Sequence, residues 1–353
     1  PVAHSFPTRR SSDLAKERLA ASIYLSAEVF ADSANHLAAG DEYIRVIKEV
    51  PDAEFADLSL FNAALEYDKA KEYRRAIETY NYLIETRSNS KYLLDAMNNL
   101  AIDYGELGEF KNAAITYERL HATAKDSINQ YDALYNASIF FVKAEEWEDA
   151  IRINRKFVQK YPESGDADDL FFDIATYYLK LNDLENANQL YGEYVNKFPN
   201  SPRVVETYFH RGEYFRKNNE ITKAIAEYQK SVQKNEEFKR NDQPGNDFYA
   251  AEALFNMTMI KYNEYLKIEF RLPYASMEQA KAEKKRLLKD VIDGFSKVVG
   301  YGTLRLYEAT YHIGDAYEDF AETWARQEIP DLEENQKILL LKEINQTSAE
   351  LYA

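Results

Sequence analysis

Few residues in this 353-residue chain are of a type and spacing that could do chemistry. There is no cysteine, which removes thiolate nucleophiles, disulfides and cysteine metal sites together. The histidines are His4, His36, His121, His210 and His312, and none falls at metal-ligand spacing. His210 has Glu206 and Glu213 within about one helical turn, the nearest thing here to a proton-transfer pair, yet no catalytic or metal role is expected of it. Acidic pairs such as Glu145-Glu146 and Asp168-Asp169 would suit general acid–base work by type. They fall at helix tips and helix starts, where the macrodipole favours carboxylates for structural reasons. The serines lack a partnering histidine and acid at any recognisable spacing. No glycine loop is built to cradle a phosphate, and Gly300-Tyr301-Gly302 reads as a helix-to-helix turn. The expectation is a non-enzymatic chain with no catalytic residue, no metal and no cofactor.

Composition narrows the partners. Lysine and arginine number 44 against 60 acidic residues, a net charge of −16 that disfavours nucleic acid or an anionic membrane. No window approaches the roughly 18 uninterrupted apolar residues of a membrane span. The hydrophobic share of 45% is enough for a continuous core. The absence of cysteine fits cytoplasm and periplasm equally.

The elements are legible from one column of small residues. Ala39, Ala76, Ala113, Ala150, Ala187 and Ala224 each lie 37 residues after the last. Four positions on come Tyr43, Tyr80, Tyr117, Asn154, Tyr191 and Tyr228, on the same helical face. If the column alanine is position 20 of each repeat, position 8 is Ala27, Ala64, Ala101, Ser138, Ala175 and Gly212. Position 11 is aromatic throughout: Phe30, Tyr67, Tyr104, Phe141, Tyr178 and Phe215. These spacings predict two helices per repeat, brought close by the small residues at positions 8 and 20. Gly108, Asn182 and Asn219 share the tip column, where a left-handed residue can end the first helix. The tip column two residues later holds Tyr73, Phe110, Trp147, Leu184 and Ile221, with His36 expected to take the same packing role. Pro51, Pro162 and Pro199 mark the ends of second helices, and Ser201-Pro202 reads as a cap opening the next helix.

This pattern resembles the tetratricopeptide repeat family over residues 20 to about 236, in six copies. It departs in period, with three residues more than the family's 34 at the connection between repeats. The resemblance implies an all-α, right-handed superhelical solenoid of antiparallel helix pairs. Tyr161-Pro162-Glu163-Ser164 and Phe198-Pro199-Asn200-Ser201 resemble connections in bacterial envelope members, the TolA-binding periplasmic proteins and outer-membrane assembly lipoproteins. A periplasmic or envelope location is therefore the lean over cytoplasm.

Domain limits follow. Ser5 to Leu14, SFPTRRSSDL, resembles one reading frame of a common sequencing adapter, so residues 1–14 are set aside as artefactual and disordered. Residues 15–238 hold the six helical hairpins, and 239–246 (KRNDQPGN) reads as a loop. Residues 247–353 predict longer, divergent helices at about 247–271, 276–299, 304–328 and 332–353. The apolar run Ile338 to Leu341 near the end suggests a solenoid cut rather than capped, and truncation is expected at both ends.

A second stripe, at positions 2, 5, 9 and 12, lies on the first helices away from the pairing face. By the resemblance, this face lines the concave groove. The candidate partner-binding residues are Phe61, Leu65, Asn98, Ile102, Tyr135, Ile139, Phe172, Thr176, Phe209 and Glu213. The competing expectation is that they pack between repeats. Asp95, Asp132, Asp169 and Glu206 add an acidic rim at position 2. Family members that clamp a C-terminal carboxylate use lysine, arginine and asparagine here; only Asn98 and Asn136 qualify, which argues against such a clamp. The expected function is a non-catalytic scaffold that docks an apolar or basic protein segment. The alternative is a regulatory or targeting region of a larger enzyme.

Overall fold

Apolar side chains recurring three and four apart commit the chain to helices. In the computed structural model, which describes residues 7–352 and side chains over 13–346, there are sixteen helices and no strand among the described residues. They form two compact units, Pro1–Asn182 and Asp183–Ala353.

In the first unit, α1 (Pro7–Asp32) pairs with α2 (His36–Glu49), and α3 (Ala56–Lys69) with α4 (Tyr73–Thr86). Then α5 (Leu93–Glu106) pairs with α6 (Phe110–Thr123), and α7 (Ser127–Lys143) with α8 (Trp147–Lys160), before α9 (Asp166–Lys180). The second unit begins with α10 (Leu184–Lys197), followed by α11 (Arg203–Lys217) with α12 (Ile221–Arg240). The pairs α13 (Asp247–Tyr265) with α14 (Tyr274–Gly300), and α15 (Arg305–Ala325) with α16 (Glu334–Tyr352), complete it. Residues 7–14, set aside in the sequence, are placed in α1, while 1–6 lie outside the described residues.

The alanine column is the core seam. All six column alanines are at most 1% exposed. The small residues at position 8 are buried with them, and a Cβ on Gly212 would meet the Tyr228 ring at 2.5 Å, so that seat takes only glycine. Where the fourth copy replaces tyrosine with Asn154, the loss is made good by polar pairing. Ser138 Oγ, itself a position-8 residue, donates to Asn154 Oδ1, and Asn154 Nδ2 donates to the Leu170 carbonyl at 2.9 Å. A buried amide is tolerated because its hydrogen bonds are met.

Each hairpin tip turns the same way. Positive φ occurs at Ala34, Lys71, Gly108, Glu145, Asn182 and Asn219, one per repeat. At Glu145, its N–H bonds the Val142 carbonyl and the Glu146 N–H bonds the Phe141 carbonyl, a Schellman ending. The position-11 aromatic thus both packs and supplies the accepting carbonyl. Helices α2, α8 and α10 stop two residues before Pro51, Pro162 and Pro199, as the disfavoured helical conformation ahead of proline requires.

Several helix boundaries differ from the sequence reading, two of them for a visible reason. Helix α12 continues to Arg240, two residues into the expected loop, because Phe238 is buried and completes its apolar face. Helix α13 ends at Tyr265, short of residue 271. Phe270 leaves the helix to pack against Phe320 and Trp324, and the Ile268 carbonyl accepts a bond from buried Lys284 at 2.9 Å. That lysine also pairs with Asp319 at 2.7 Å, fastening the segment to α15.

Candidate functional site

The groove candidates are carried by first helices. In the first unit, α3 supplies Phe61 and Leu65, α5 Asn98 and Ile102, α7 Tyr135 and Ile139, and α9 Phe172 and Thr176. Phe209 and Glu213 lie on α11 in the second unit and are described there.

The structure separates these residues by what surrounds them. Ile102 is 45% exposed, the most open apolar side chain of the set. Leu65, Ile139 and Thr176 are half-buried. Phe61 stacks on Tyr92 with ring centroids 5.1 Å apart and is thereby half covered by the next repeat. Phe172 is only 5% exposed and belongs to the core, a correction to its place in the groove. The physical reason is that α9 is covered around most of its circumference, with Ala167, Leu170, Phe171, Ile174 and Tyr177 also buried, so residue 172 is enclosed as well. Phe209 packs against Tyr249 at 5.4 Å and Tyr228 at 6.2 Å, leaving it half-buried between helices.

Asn98 and Tyr135 converge. With Asp95 on α5, and Asp132 and Asn136 on α7, they surround a cavity of about 330 Å³. Tyr117 and Leu120 of α6 form its apolar wall; the sequence placed Tyr117 on the pairing face and did not single out Leu120. Asp95 and Asp132 are exposed at its edge. An apolar wall below two carboxylates suits an aliphatic stem ending in a cation, as in lysine or arginine.

The fourth rim carboxylate is differently employed. Burial pushes the Glu206 carboxyl up, but hydrogen bonds to His210 and Tyr249 outweigh it and hold the group below its usual range. His210 stacks on Tyr191 at 5.3 Å, with its Nε2 3.4 Å from Glu206 Oε1. Glu213 does not join them; it bonds Arg216, Tyr228 and Asn256. His210 is therefore part of an aromatic layer. His36 is not a simple packing residue either. Its Nδ1 lies 2.7 Å from Glu66 Oε2, and Lys69 binds the other oxygen of that buried carboxylate at 2.6 Å. Glu66 is 5% exposed and needs both partners.

One acidic pair was invisible in the sequence. Asp68 on α3 and Asp103 on α5 come close enough for each carboxyl to perturb the other's titration. Neither Asp68 Oδ1 nor Asp103 Oδ2 has a hydrogen-bond partner among the described residues. Two buried carboxyls this close favour the protonated form of one of them. Burial, then the proximity of Asp68 and the charges of Asp68 and Glu106, push the Asp103 carboxyl up to about 9. Among the described residues, no group of three or more histidine or acidic side chains could hold a metal ion, and no helix is long and apolar enough to cross a membrane.

Residues 132–164 and 169–201 match the tetratricopeptide repeat family. Residues 132–201 carry two tetratricopeptide repeats. Each matched stretch starts at position 2 of the 37-residue register, so the family's repeat coincides with α7–α8 and with the helices that follow. No curated protein matches the chain significantly. Among solved structures it is similar to a tetratricopeptide repeat protein from Parabacteroides merdae, at 13% identity and TM-score 0.35, over 84% of this chain and 98% of that one. The TPR2AB domain of yeast Sti1 in complex with pHSP90 is similar at 16% identity and TM-score 0.37, over 85% and 98%. MamA is similar at 14% identity and TM-score 0.32, over 50% and 96%. Similarity at this level bears on neither partner nor binding mode. The tetratricopeptide assignment rests on the matched repeats and on the helix pairs themselves.

Proposed function

We propose that the chain is a protein-interaction scaffold whose first helices receive an apolar or basic segment of another protein. The observation that carries this reading is the cavity between α5 and α7, apolar at Tyr117 and Leu120 and edged by Asp95 and Asp132. Exposed Ile102, one turn further along α5, extends the apolar surface beyond it. A cationic amphipathic segment would place one basic side chain in the cavity and lay its apolar face over Ile102. Binding through two exposed carboxylates is steered by charge and weakens with salt. An envelope location, suggested by the Tyr161–Ser164 and Phe198–Ser201 connections, belongs to the same proposal.

The test is titration calorimetry with a cationic amphipathic helical peptide. Asp95→Asn combined with Asp132→Asn should weaken binding about tenfold at low salt, with less effect at high salt. A partner held elsewhere would bind the double variant as tightly as the parent. Phe172→Ala is unsuitable as a probe, since removing a buried ring costs about 3–5 kcal/mol of stability.

A further inference from the structure

A second cavity, of about 740 Å³, lies in the second unit and opens between second helices rather than first helices. Its origin is helix length. The second helices α2, α4, α6, α8 and α10 each run 14 residues, whereas α12 runs 20 and α14 runs 27. The added turns of α12 supply Glu236 and Lys239, and with the end of α14 they line the slot over α13. Val232 forms one apolar wall, and Leu254 and Met257 of α13 form the floor. Along α12 the lining runs from Gln229 to Lys239, about 15 Å at the rise of an α-helix, close to the length of an extended twelve-carbon chain.

The charges at the slot are unequal in their commitments. Lys239 pairs with Asp247 at 2.6 Å and lies over the Tyr301 ring. Glu236 accepts the Tyr301 hydroxyl at 3.0 Å. Lys297, on the opposite wall, has no carboxylate partner among the described residues. A cation without a partner beside an apolar slot of small-molecule size is a specific combination. We propose that this cavity binds a single-tailed amphipathic anion, an unbranched alkyl carboxylate. The chain lies along Val232, Leu254 and Met257, and the carboxylate pairs with Lys297.

The test uses dodecanoate below its micellar concentration, followed by calorimetry and by the shift of its carboxyl carbon resonance. Gly300 lines the mouth, and a Cβ there would meet nothing within 4 Å. Gly300→Trp therefore plugs the slot without a backbone clash and should abolish binding while leaving helicity unchanged. Lys297→Met changes an exposed side chain and should weaken dodecanoate about tenfold or more. The expected parent result is one equivalent bound, with dodecyltrimethylammonium failing to compete. The proposal is overturned by absence of saturable binding to the parent, by several equivalents bound, by equal competition from the cationic amphiphile, or by parent-like affinity in both variants. Should Gly300→Trp not fold, Lys297→Met decides alone.

Discussion

Asp103 is a carboxyl held protonated at neutral pH by burial and by Asp68, with Glu106 adding to the same effect. In the unfolded chain it titrates near 3.9. Between about pH 4 and 9 the folded state therefore binds a proton that the unfolded state has lost, and stability falls as pH rises through that window. Its contribution is fully present below the unfolded value and gone above the folded one. Asp103→Asn donates to Asp68 through its amide at every pH. We expect the variant to gain on the parent by at least about 1 kcal/mol between about pH 5 and pH 9, read from urea midpoints. Parallel curves for parent and variant would show that Asp103 is not held protonated in the folded state. The pair could not be read from sequence, because its members are 35 residues apart on different helices and occupy different repeat positions. Ile102 and Phe172 make the same point from the other side. Both fit the second stripe, yet one is 45% and the other 5% exposed, and only how far neighbouring helices enclose each one separates them.

At the scale of the element, the hairpin tips are the most uniform feature of the fold and the least uniform in residue type. Three of the six left-handed positions are Ala34, Lys71 and Glu145, residues with a Cβ that resists this conformation. The turn is imposed on them by the helices on either side, through the paired Schellman bonds. Glu145→Gly should raise stability by about 0.5–1 kcal/mol, the left-handed cost less the entropy glycine adds to the unfolded chain. Thermal or urea unfolding would measure it, and the same change at exposed Glu148 within α8 should destabilise instead. Gly108, Asn182 and Asn219 made this column legible, while the other three were not, since no local preference marks them.

For the whole molecule, stability should be additive over neighbouring helices within each unit, because each helix packs chiefly on its sequence neighbours. Ala187→Leu places three added carbons in a seam position that is 1% exposed. Overpacking there should cost about 1–3 kcal/mol. Amide exchange should accelerate in α10 and α11, while α3 to α6 keep their protection. A uniform rise across both units would mean the chain unfolds as a single block.

The beat of 37 residues, the buried alanine column and the helix pairing were determined by the sequence alone. They depend on side chains three and four apart on one helix, and that geometry is local and repeats unchanged. Which groove residues stay open, the pairing of Asp68 with Asp103, the early end of α13 and the slot between α12 and α14 were decided by tertiary structure. Each depends on where residues from separate helices come to rest against one another, and helix rotation and length are set by packing that no single repeat contains.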